Sequence, residues 1–223
     1  MFPVSDVIPS RTVPVVTVAL IVVNSLVFLY QATLPPPLLE EFVQRYALIP
    51  ASFSWVNVFT SMFLHAGWMH IIGNMLYLWI FGDNVEDRLG HIPFLLFYLA
   101  SGCAAAMLQL MINPFTTVPM VGASGAIAGV MGAYFVLYPE SRVLTAVFLF
   151  FFFDLIEIPA IFFLGIWFVM QVLSGVGSLG LDTGGGGTAF WAHIGGFLVG
   201  AVVGVLVRIN SRRWEGPRSS ASF

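Results

Sequence analysis

The sequence predicts an all-α membrane protein, a bundle of six spanning helices with both termini cytoplasmic. Three observations carry this reading. Of 223 residues, 59% are hydrophobic and only 9% are charged, against about a quarter charged in a soluble globular domain. The apolar residues fall in runs of about 20, the length a helix needs to cross a hydrocarbon core. Finally, the positive side chains are all arginines, eight of them, and they sort almost entirely to one side of the resulting topology.

The first span is placed at 13–31. Arg11 precedes it, and the stretch Thr12 to Tyr30 exceeds the roughly 7 to 15 apolar residues of a cleaved signal, so it is expected to be retained behind a short cytoplasmic segment, 1–12. Residues 32–67 form a long outer loop that opens with Pro35-Pro36-Pro37. Its apolar string Phe53 to Leu64 is suited to dip into the outer leaflet. Spans two, three and four follow at 68–87, 92–112 and 124–138. Val143 to Gly177 is too long for one ordinary span. Asp154 and Glu157 would be expensive near mid-membrane, and Pro159 suits the first turn of a helix. Val143 to Ile156 is therefore expected at a membrane surface, with the fifth span at 158–177. The outer loop 178–190, with Gly184 to Gly187 in a row, has little conformational restraint and is either a connector or a mobile cover over a site. The sixth span, 191–207, closes a helical membrane domain of 13–207. Residues 208–223 read as a polar, disordered cytoplasmic tail.

Six spans put both termini on one side. Arg11, Arg88, Arg142, Arg208, Arg212, Arg213 and Arg218 fall with the termini and Arg45 alone falls opposite, which makes the termini side cytoplasmic by the positive-inside rule. The expected location is a multi-pass position in a bacterial-type inner (plasma) membrane. A net charge of −3 and the absence of any lysine or basic tract leave no footprint for nucleic acid. The expected surroundings are the lipid bilayer and other membrane proteins. Cys103 is the single cysteine, so no intramolecular disulfide forms.

Polar groups inside apolar runs point to chemistry, because they need partners or water there. Ser124, in Gly122-Ala123-Ser124-Gly125, opens the fourth span and His193 opens the sixth. A serine hydroxyl is a weak nucleophile at neutral pH, and an imidazole within reach can take its proton as attack proceeds. Spans two, four and six run in the same direction. From each candidate to the charged group marking the cytoplasmic surface there are 14 residues for Asn74 to Arg88, 16 for Ser124 to Glu140 and 15 for His193 to Arg208. At a rise of about 1.5 Å per residue these are all about 21–24 Å, which puts the three groups at one height, some 6–9 Å below the outer surface of a core about 30 Å thick.

His70 and Asn74 are four apart and share a helix face. Together with the free N–H groups and positive dipole end at the start of the fourth span, they are suited to hold an oxyanion; the competing reading is a polar pair that staples helices. Gly125, Gly129 and Gly132 on the fourth span, with Gly196, Gly200 and Gly204 on the sixth, allow close backbone approach. No third acid is visible at this height, since Asp154 and Glu157 lie toward the cytoplasm and Asp182 lies in a loop, so a Ser–His dyad is expected. No cofactor or metal is expected. There is no His-Glu-x-x-His, His65 and His70 do not share a helix face, and paired membrane aspartates are absent.

The strings His65 with His70-x-x-x-Asn74, Val85-Glu86-Asp87-Arg88-Leu89-Gly90, Gly122-Ala123-Ser124-Gly125 and Ala192-His193-x-x-Gly196-x-x-x-Gly200, in this order and at these intervals, resemble the rhomboid intramembrane serine proteases over nearly the whole chain. The resemblance implies a six-helix bundle with a water-filled cavity opening outward. It implies Ser124 as nucleophile, His193 as general base and acid, and His70, Asn74 and the Ser124 N–H as oxyanion donors. The implied partners are transmembrane proteins, cleaved near the outer ends of their spanning segments, with the fifth helix and loop 178–190 gating access. Two positions depart from the family pattern. Ala128 stands where some members carry an aromatic stacked on the histidine, and Trp55-Val56-Asn57 stands where many carry a Trp-Arg pair. A catalytically silent binder of membrane proteins is the alternative, although silent members generally lack the serine or the histidine. A transporter would more plausibly show discontinuous helices in symmetric halves.

Overall fold

The computed structural model describes residues 2–149, 152–179 and 189–214. Helices stand at all six expected positions: α1 (Val15–Thr33), α4 (Trp68–Leu89), α5 (His91–Ile112), α6 (Ser124–Leu137), α7 (Ala160–Gly177) and α8 (Phe190–Trp214). Two shorter helices, α2 (Pro36–Tyr46) and α3 (Trp55–Thr60), occupy the first outer loop. Among the described residues, four helices are long and apolar enough to cross a membrane: α1, α5, α7 and residues Phe190–Asn210 of α8. α6 is apolar but shorter, and α4 carries Asp83, Glu86, Asp87 and Arg88 toward its C-terminal end. α8 runs through 208–214, where the sequence suggested a disordered tail; 215–223 and the Gly184–Gly187 loop lie outside the described residues.

The helix boundaries follow local chemistry. Pro35 and Pro36 open α2, and Pro159 precedes α7, where a fixed φ and a missing N–H cost nothing. Gly90, at φ 85°, makes the sharp break between α4 and α5 that a side chain would resist. α1 has no cap of its own. Instead Glu86, fully buried on α4, accepts the Val16 and Thr17 N–H groups at 2.9 and 2.7 Å and the Thr17 hydroxyl at 2.7 Å. A carboxylate on these orphan donors satisfies them and complements the helix dipole. Asp87 accepts the Arg11 and Thr12 N–H groups just upstream.

α6 is the axis of the bundle, with Gly125 through Tyr134 all buried among Leu78, Phe81, Tyr98 and Phe197. It meets α8 backbone to backbone. A methyl group at Gly196 would lie 2.0 Å from the Gly125 carbonyl oxygen, and one at Gly132 would lie 2.1 Å from the Phe197 carbonyl oxygen.

Beside the helices lies a three-stranded antiparallel sheet, β1 (Phe2–Asp6), β2 (Arg142–Leu149) and β3 (Phe152–Pro159), in that order. The sequence placed Val143 to Ile156 at a membrane surface without assigning it a secondary structure. Antiparallel pairing of β2 with β3 satisfies their backbone groups, leaves Asp154 and Glu157 exposed, and sets Glu157 3.2 Å from Arg142.

β1 is tied to the bundle by the Tyr134 hydroxyl, which donates to Asp6 at 2.5 Å and lies 2.8 Å from Ser141. Burial, helped by the Asp83 carboxylate and opposed by the Tyr134 hydrogen bond, pushes the Asp6 pKa up from 3.8 to about 6. The folded carboxyl thus holds its proton to higher pH than the unfolded one, so this group's stabilisation is complete below about pH 4 and is lost as pH rises through 6. Asp6→Asn, which fixes the neutral form, is expected to stabilise the protein at pH 7 by about 1 kcal/mol, allowing for solvent screening at this partly exposed site, and to change little at pH 4. Thermal unfolding in detergent at the two pH values checks this, and equal effects at both would refute it.

Candidate active site

Ser124 is the first residue of α6, preceded by Gly122 at φ 121°. That left-handed conformation favours glycine and turns the chain into the helix with the Gly122 N–H on the Ser61 carbonyl at 2.9 Å. As the first residue, Ser124 has a backbone N–H with no intrahelical acceptor. On α8, one turn from its start, buried His193 brings Nε2 to 2.7 Å from Ser124 Oγ. Residues 69 apart in the sequence thus meet, carried by the glycine contact between α6 and α8.

His70 and Asn74 project from α4 toward the same turn. A methyl group at Gly122 would lie 2.7 Å from His70 Nε2 and 3.5 Å from Asn74 Nδ2. The Ala66 N–H donates to His70 Nδ1 at 3.4 Å, so in the neutral ring the proton sits on Nε2, the nitrogen facing Gly122. Asn74 Nδ2 is buried and has no hydrogen-bond partner among the described residues. A donor kept unpaired inside a protein costs about 1–3 kcal/mol and invites an acceptor from outside the chain. His65 packs edge-on against His70 at 5.1 Å between ring centres, and its backbone N–H is held by Gln31 of α1 at 3.0 Å. A cavity of about 40 Å³ lies beside Ser124 against Ser61, Met62 and Met120, and a groove of about 440 Å³ opens between Val43, His65 and Val118.

Both departures from the family pattern have local replacements. With Ala128 in place of an aromatic, the His193 ring is held from α7, by Trp167 with ring centres 5.8 Å apart and by Gln171 Oε1 at 2.8 Å from Nδ1. Sequence reading passed over both residues. A lone amide within an apolar helix is itself a signal, since it needs a partner there. In the outer loop, Asn57 donates its amide to the carbonyls of Ala47 and Arg45 at 2.8 and 3.2 Å, and Thr60 donates to Tyr46 at 2.7 Å. Backbone pairing of Leu48 with Met120 joins this loop to the strand of chain leading to Ser124.

Fold and composition define a multi-pass integral membrane protein whose serine and histidine meet at the ends of two packed helices. The chain belongs to the rhomboid family: the rhomboid domain model matches residues 52–210. Among its relatives are Rhomboid protein 1, mitochondrial, of Saccharomyces cerevisiae, 29% identical over 74% of this chain and 46% of that protein, and RHOMBOID-like protein 6, mitochondrial, of Arabidopsis thaliana, 30% identical over 75% and 48%. Rhomboid protease GluP of Bacillus subtilis is 40% identical over 35% of this chain and 15% of its own length. The matched region spans less than half the length of these relatives. The family includes serine intramembrane proteases and acts on membrane-protein substrates within the bilayer.

Proposed function

We propose that the protein is an intramembrane serine endopeptidase that cleaves transmembrane segments of other proteins near their outer ends. The observation that carries this is the 2.7 Å contact between His193 Nε2 and Ser124 Oγ, beside the Nε2 edge of His70 and the Asn74 amide, which has no partner among the described residues. Ser124 Oγ attacks the scissile carbonyl carbon as His193 Nε2 takes the hydroxyl proton. The negative oxygen that develops is stabilised by the Ser124 N–H, His70 Nε2–H and Asn74 Nδ2–H. His193 then gives its proton to the leaving nitrogen, and water reverses the sequence on the acyl-enzyme. The groove beside His65 shares Val121 with the cavity at Ser124 and is the proposed approach of an extended, unwound segment. Cleavage of a generic transmembrane substrate by purified protein, and its loss in Ser124→Ala, tests the assignment. Retention of both reacting side chains argues against the silent binder.

The same proposal includes six spans, with charged α4 and shorter α6 added to the four helices above, and cytoplasmic termini. Its support is the split of seven arginines against one. A bacterial-type inner membrane is the location proposed, alongside relatives named for mitochondria and relatives from Bacillus subtilis. After removal of Cys103, Ser211→Cys is expected to be protected from an impermeant thiol reagent in sealed cells. Labelling from outside would overturn the orientation.

A further inference from the structure

The geometry points to Gln171 as a positioning residue that holds His193 in the tautomer able to act as a base, a role that rests on the Ser124–His193 reading above. The two ring nitrogens have different partners. Nε2 faces Ser124 Oγ at 2.7 Å and Nδ1 faces Gln171 Oε1 at 2.8 Å. An amide oxygen only accepts, so the contact requires a proton on Nδ1. The neutral imidazole then has its lone pair on Nε2, directed at the serine hydroxyl. Were Nδ1 left without an acceptor, the proton would be free to sit on Nε2, which would donate to the serine instead of receiving from it. In triads this duty falls to a carboxylate, and here a neutral side chain performs it.

The surroundings turn one hydrogen bond into a fixed orientation. Trp167, one turn before Gln171 on the same face of α7, lies against the His193 ring, and Phe197 lies behind Trp167 with 6.1 Å between ring centres. Phe168 stacks on Phe197 at 4.6 Å. Gln109 of α5 accepts the Ala192 N–H at 3.3 Å, so the start of α8 is held from a second side. α7 exposes Phe162, Ile166, Val169, Met170 and Leu173 on its other face. α7 is docked through buried Ala160, Phe163, Leu164 and Gly175, so the tautomer of the base depends on how this helix packs.

The test compares two variants of similar length in the full chain. Gln171→Met keeps volume and helix propensity but removes the acceptor, whereas Gln171→Glu keeps an acceptor and has no N–H to donate. The measurements are the rate of covalent labelling of Ser124 by a fluorophosphonate and kcat and KM on a transmembrane substrate, with thermal unfolding as the control for folding. Gln171→Met is expected to lower the labelling rate and kcat by roughly 10- to 100-fold with KM within about twofold. Gln171→Glu is expected to restore most of both. Full activity of Gln171→Met alongside an inactive Ser124→Ala would overturn the positioning role and leave the nucleophile assignment standing. Equal losses in the Met and Glu variants would likewise overturn it. Wild-type protein that does not label at Ser124 would remove the Ser–His reading and this inference together.

Discussion

Ser124→Ala and His193→Ala are each expected to reduce cleavage of a transmembrane substrate by about 10⁴-fold or more, because the two act as one unit. Both should also abolish covalent labelling by a fluorophosphonate, which in the wild type should fall on Ser124 alone as Oγ displaces fluoride. The oxyanion donors should behave differently. His70→Ala and Asn74→Ala each remove one donor and leave the nucleophile and base in contact, so each should cost about 10²-fold or less if the donors are partly redundant. Activity should fall with falling pH as His193 becomes protonated, since only a neutral imidazole accepts the serine proton. Robust cleavage by Ser124→Ala would refute the mechanism. Failure of the wild type to cleave any of many membrane substrates would favour a binder that holds its clients uncut.

The second large effect is expected at the contact between α6 and α8. A methyl group at Gly200 would sit 1.8 Å from the Gly129 carbonyl oxygen and 2.6 Å from its carbon. Those atoms belong to a helix backbone and have no rotamer by which to move aside, so the helices must separate. Gly200→Leu is expected to cost at least about 1–3 kcal/mol. It should cost proportionally more in rate, because α8 carries His193 and a shift of about 1 Å can lower catalysis roughly 10²-fold. Gly177→Ala is the control, since none of the described residues lies within 4 Å of its new methyl group. Thermal unfolding and proteolysis measured on both variants separate the two costs. Wild-type activity in Gly200→Leu would mean that the α6–α8 approach does not set the position of the histidine.

The candidate site was suggested by the sequence for a physical reason. Helices that must satisfy their own backbone bonds in lipid advance by a nearly constant rise, so counting residues to the surface charges compares the heights of Asn74, Ser124 and His193 directly. Glycines on two of these helices then suggest that they touch. Height is a property of one helix at a time, which is why sequence can report it.

What sequence by itself determined was the multi-pass helical character, the six apolar helices to within a few residues except at the C-terminal end of α8, and the few polar groups that residue counting sets near one height. Only the tertiary structure decided which further side chains meet Ser124 and His193. Gln171 reached Nδ1 of His193 because α7 turns that face toward α8, and no local pattern encodes such a rotation. Glu86 caps α1 from a helix about 70 residues away in the chain. The paired strands β2 and β3 were hidden because their apolar residues lack a clean alternation. Its edge partner, Phe2–Asp6, lies at the other end of the sequence, and pairing of that kind is decided by long-range contact.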